Sequence, residues 1–144
     1  MKIIRTLLLF FFIVCSYSVQ AQDILGKWKT IDDETGEAKS VVEIYKKDGL
    51  YYGQIVKLFR NKNQDPDPVC DKCPENDERF NQKVIGMEII KGLSKSGDEY
   101  TGGTVLKPDE GKIYKCKIWV EDNKLMIRGY WGIFYRTQEW LKYE

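Results

Sequence analysis

Histidine is absent from all 144 residues. That removes the usual general base at neutral pH, the commonest metal ligand and the middle member of a hydrolase triad. Catalysis would have to rest on Cys, Lys, Tyr or carboxylates, and no nucleophile–base–orienter set is visible among them, so the chain reads as a non-enzyme without a cofactor. Neither sign of charge dominates, since 23 Lys and Arg stand beside 22 Asp and Glu. Such an interspersed pattern supplies no long-range field, and neither nucleic acid nor anionic lipid is indicated as a partner. Proline is scarce, and Pro66, Pro68 and Pro74 fall in one stretch. Beyond residue 21, no segment keeps helical periodicity for three turns.

The exception to the shortage of long apolar runs is the leader. Lys2 and Arg5 form a basic start, residues 7–14 an apolar core, and Val19-Gln20-Ala21 a small-residue cleavage site. The apolar run is shorter than the roughly 18 to 20 residues a spanning helix needs, so residues 1–21 read as a signal peptide. Cys15 follows Phe12, Ile13 and Val14 rather than the small residues of a lipid-attachment site. The expectation is an exported protein, periplasmic or secreted, that begins near Gln22 and has no membrane span after cleavage. Losing Lys2 and Arg5 takes the formal charge from +1 to −1. Residues 22–144 are enough for one core and one domain.

Turn chemistry punctuates that domain at residues 32–36, 47–49, 94–97, 108–111 and 121–123, each rich in Asp, Asn, Ser or Gly. Between the turns lie β-branched and aromatic runs at 24–31, 39–46, 50–59, 84–91, 99–106, 112–120, 124–131 and 134–142. Several alternate as half-buried strands do, with Tyr114, Cys116, Ile118 and Val120 set against Lys115, Lys117 and Trp119. Eight such strands with short connections predict an all-β, antiparallel up-and-down barrel; a two-sheet β-sandwich is the alternative. Residues 60–83 break the rhythm and predict one long loop, the first place to look for functional elaboration.

That loop carries Cys70-Asp71-Lys72-Cys73. Thiols so close together in an oxidising compartment favour a local disulfide, with metal binding, intermolecular pairing or redox exchange as the other readings. Zinc needs four ligands, and the domain offers Cys70, Cys73 and Cys116 without a histidine; Cys116 alternates with apolar neighbours as a buried thiol does. The loop's carboxylates and amides lack the glycine and terminal glutamate of an EF-hand, so no metal is expected. Gly102-Gly103 marks a bulge or a close backbone approach.

The Gly26-x-Trp28 opening, GLYYGQIVKL, VIGMEIIKGL, TGGTVLKPDEGKIYKCKI and LMIRGYWGIFYRTQEW together resemble the bacterial domain-of-unknown-function family numbered 2147, over about residues 24–142. The resemblance implies an exported lipocalin-like (calycin-type) barrel with no established activity. It also implies that Trp28 packs across one barrel end near an arginine from a late strand, Arg128 or Arg136. Period-two spacing puts Arg136, Gln138 and Trp140 on one face, which predicts an Arg136 guanidinium stacked on Trp28, with Gly26, Gln138 and Trp140 completing a structural cluster. Three functions remain open: binding of a small apolar or amphipathic ligand at the barrel mouth, a structural module that meets another envelope protein, and redox exchange at Cys70 and Cys73.

Overall fold

The computed structural model describes residues 22–144, and the expected signal peptide lies outside the described residues. Eight strands run in order: β1 (Gly26–Ile31), β2 (Ala38–Lys47), β3 (Leu50–Leu58), β4 (Glu88–Ser96), β5 (Glu99–Lys107), β6 (Lys112–Glu121), β7 (Lys124–Trp131) and β8 (Phe134–Lys142). Each pairs antiparallel with the next, and β8 returns to β1 through Trp28–Lys142 and Lys29–Leu141. The barrel is closed, which excludes the sandwich and gives every strand a neighbour on both sides. Among the described residues no helix is long and apolar enough to cross a membrane.

Alternation along the strands sends Trp28, Ile44, Tyr51, Ile90, Leu93, Tyr100, Ile118, Leu125 and Trp140 into one buried core. The start of β1 and the end of β8 lie at the closed end of the barrel. There Ile24 is fully buried, and the Trp28 indole N–H donates to its carbonyl at 2.8 Å. At the other end are the β1–β2, β3–β4, β5–β6 and β7–β8 connections.

One strand departs from its predicted span. Residues 84–87 turn rather than extend: Gly86 takes φ +90°, and its N–H donates to the Ile55 carbonyl at 2.6 Å. The polar Ser94-Lys95-Ser96 run, which reads as a turn, instead pairs with Glu99–Thr101 and leaves only Gly97-Asp98 to reverse the chain.

Candidate functional site

Trp28 does pack across the closed end, but its cationic partner is not an arginine. The Lys142 ammonium sits 4.6 Å from the indole centroid. Pairing explains this, because Trp28 faces Lys142 on β8 and Arg136 lies six residues away, about 20 Å along the strand. Arg136 is at the open mouth, 2.7 Å from Asp33, and Gln138 donates to the same carboxylate oxygen at 2.5 Å. Arg128 points outward, its guanidinium 4.4 Å from the Tyr135 ring and 5.1 Å from Trp119, with Nε donating to Thr137 Oγ1 at 2.8 Å. Gly26 opens β1 at φ +107° against the Lys142 ammonium. Trp140 is buried, and its indole N–H has no acceptor among the described residues. The predicted residues are thus divided between the two barrel ends and the outer wall rather than gathered into one cluster.

Cys70 and Cys73 are joined. The disulfide is 1 % and 3 % exposed, packed beneath the β5–β6 turn, with Cys70 Sγ 3.5 Å from the Pro108 carbonyl oxygen. Gly111 closes over it: at φ +67°, a Cβ there would overlap the Lys72 carbonyl. Thiol exchange needs an accessible sulfur, and this packing denies it. Cys116 is a free, buried thiol, pushed up to about 12 by burial, so it is not a ready nucleophile.

The long loop is built like a brace rather than a flap. Cys70 N–H donates to the Gln82 carbonyl and Asn81 N–H returns to the Cys70 carbonyl, at 2.8 and 2.9 Å. Buried Arg79 holds Asp77 with two hydrogen bonds of 2.8 Å and reaches the Glu88 carbonyl at 3.0 Å. That grip keeps the Asp77 carboxyl at about 2. Asp67 pairs with Lys83 and Glu78 with Lys91, and no cluster of three metal-ligating side chains occurs among the described residues.

Concave space lies at the mouth, where the barrel wall divides. The β6–β7 ladder runs up to Lys115–Tyr130 and stops. Above it, Lys112–Tyr114 remain paired with β5 while Trp131 pairs across the β7–β8 hairpin with Phe134. An open groove of about 520 Å³ occupies the split, lined by residues 112–115 of β6 and by Tyr130, Trp131 and Gly132. Tyr114 and Trp131 meet edge to face with centroids 6.0 Å apart, and the Tyr114 side chain lies over Gly129. The Tyr114 hydroxyl donates to Glu110 at 3.3 Å; burial, followed by that carboxylate, raises the phenol's pKa. Glu110 is held below the usual carboxylate range by its hydrogen bond to Lys107. The groove therefore offers two aromatic faces, with the Lys112 ammonium beside them. The signal for this groove in the sequence is the concentration of aromatics on the strand ends around Gly132.

The closed eight-strand barrel is of the lipocalin type. The chain belongs to the family of uncharacterized proteins conserved in bacteria known as DUF2147, which it matches over residues 26–142. Among solved structures it is similar to protein HP1028 from the human pathogen Helicobacter pylori, described as belonging to the lipocalin family. That likeness has a TM-score of 0.70 at 19 % identity and covers 85 % of this chain and 84 % of the other. No curated protein matches the chain.

Proposed function

We propose that this protein is an exported bacterial envelope protein that holds a small amphipathic molecule at the mouth of its barrel. The observation that carries the reading is the split between β6 and β7, where Tyr114 and Trp131 line an open groove beside Lys112. Aromatic faces suit an alkyl or ring portion, and the ammonium suits an acidic head. Export is supported by the leader and by the disulfide, which belongs to oxidising compartments. The packed lower barrel supports a shallow ligand rather than one swallowed whole.

Titration with decanoate, followed by tryptophan emission, tests the reading. Saturable quenching that Trp131→Ala and Lys112→Glu each weaken at least tenfold is the expected result. A flat titration would end the ligand reading. It would favour the second one, an interaction module whose filled interior leaves only the outer surface for a partner.

A further inference from the structure

The β7–β8 hairpin presents a surface that a small-ligand site does not need. Its turn is Gly132-Ile133, with Gly132 at φ +60° and Ile133 91 % exposed at the tip. Turn tips ordinarily carry polar residues that solvent can hydrate. The next rung is Trp131 stacked against Phe134, with centroids 6.2 Å apart and Phe134 61 % exposed. Below it are Tyr130 and Tyr135, 6.1 Å apart. Level with this rung is Lys115, the cross-strand neighbour of Tyr130, and lower on β7 is Arg128, over Tyr135.

Three carboxylates of the mouth are paired, Asp33 with Arg136, Asp109 with Lys39 and Glu110 with Lys107, whereas Glu34 and Glu37 of the β1–β2 connection have no ion-pair partner among the described residues. Lys115 and Arg128 have no carboxylate partner among the described residues. The near-neutral total charge conceals these two cations, which flank the hairpin without a carboxylate to neutralise them.

We propose that the β7–β8 hairpin docks the protein on an anionic phospholipid bilayer. The tip orders its side chains as a bilayer orders its depths, with an aliphatic residue for the acyl boundary, Trp and Tyr for the interface, and Lys and Arg for the phosphates. The Lys115–Tyr130 rung lies about 8 Å below the tip, within the roughly 5 to 10 Å to which interfacial elements sink. The occupant is a membrane rather than a folded protein because the hairpin is convex. A projecting isoleucine ringed by aromatics inserts into a yielding surface without a complementary pocket. Docking does not depend on the ligand proposed above, and Ile133 does not line that groove.

Co-sedimentation with extruded vesicles tests the proposal, using residues 22–144, which contain the whole closed barrel and its core. Vesicles of phosphatidylglycerol and phosphatidylethanolamine should pellet the protein, with Trp131 emission shifting to the blue. Ile133→Asp should lower the partition coefficient at least tenfold while leaving the decanoate titration and the melting temperature unchanged. Lys115→Glu should weaken binding to these vesicles several-fold, and added salt should have the same effect. Failure of the unmodified protein to pellet would overturn the proposal, as would equal binding by Ile133→Asp. Sedimentation velocity showing a dimer that Ile133→Asp abolishes, without vesicle binding, would overturn it in favour of a second copy of the chain. Loss of decanoate binding with vesicle binding intact would refute only the ligand reading.

Discussion

Replacing Gly103 with alanine probes the closest approach inside the barrel wall. An ideal Cβ at that position falls 2.5 Å from the Lys91 carbonyl oxygen and 2.8 Å from Leu93 Cγ, where ordinary contacts begin near 3.4 Å. The obstacle is backbone: Lys91 pairs with Thr104 in the β4–β5 ladder, so relief requires two strands to separate. Overpacking of this kind costs about 1 to 3 kcal/mol, and a rigid carbonyl puts the cost toward the upper end. Loss of glycine's freedom in the unfolded chain returns about 0.4 to 1 kcal/mol, leaving a net destabilisation of about 2 kcal/mol. Urea unfolding should show a lower midpoint at unchanged slope, and the melting temperature should fall by roughly 6 to 10 °C. Gly129→Ala is the matched control. Its Cβ would meet Tyr114 Cβ at 3.5 Å, an ordinary contact, so the variant should be neutral or up to about 1 kcal/mol more stable. A Gly103→Ala protein as stable as the parent, or a Gly129→Ala protein equally damaged, would refute the reasoning.

Trp28→Ala should cost about 3 to 5 kcal/mol in the same assay by opening a cavity at the closed end, whereas exposed Arg136→Lys should cost less than about 1 kcal/mol. Asp77 is held at about 2, below its unfolded value, so its contribution is present above about pH 4 and is lost as pH falls through 2. Allowing for solvent screening, that loss is about 1 to 2 kcal/mol, and a pH series of urea midpoints should lose this part of its slope in Asp77→Asn. Thiol alkylation of residues 22–144 under denaturing, non-reducing conditions should label Cys116 alone, while the native fold should protect it. Three labelled thiols would contradict the Cys70–Cys73 bond.

The barrel was legible because its strands alternate and its turns are short; each signal is local and each strand must bury one face. The closed end was half legible. Trp28 could be placed from its position at the start of β1, but its partner depends on the stagger between β1 and β8, which no local pattern records. Two residues of the same face of β8, Arg136 and Trp140, are set about 13 Å apart along the strand rather than brought together. The β4 boundaries are not legible from composition, because pairing governs them: Ser94-Lys95-Ser96 is hydrated yet laddered to β5. The mouth was illegible for the same reason. Tyr114, Trp131 and Phe134 have the composition of a core, and only the end of the β6–β7 ladder at Lys115–Tyr130 exposes them.

The long loop touches the turn that leads into the mouth. Its disulfide lies beneath the β5–β6 turn, where Pro108 and Gly111 contact it, and that turn leads directly into Lys112–Tyr114, the β6 side of the split. A three-residue strand end with a partner on one side only is a weak element, since half of its inter-strand hydrogen bonds are missing. Fixing the turn from below should restrain this end beside the groove, where Tyr114 meets Trp131 edge to face. A bond closing so short a loop adds only about 2 kcal/mol through chain entropy, so its larger effect is on local order. Cys70→Ala with Cys73→Ala should therefore leave the barrel closed but speed amide exchange from Gly111 to Tyr114 and weaken decanoate binding. If exchange quickens only within residues 65–83, the loop and the groove are independent, and the brace does not extend to the mouth.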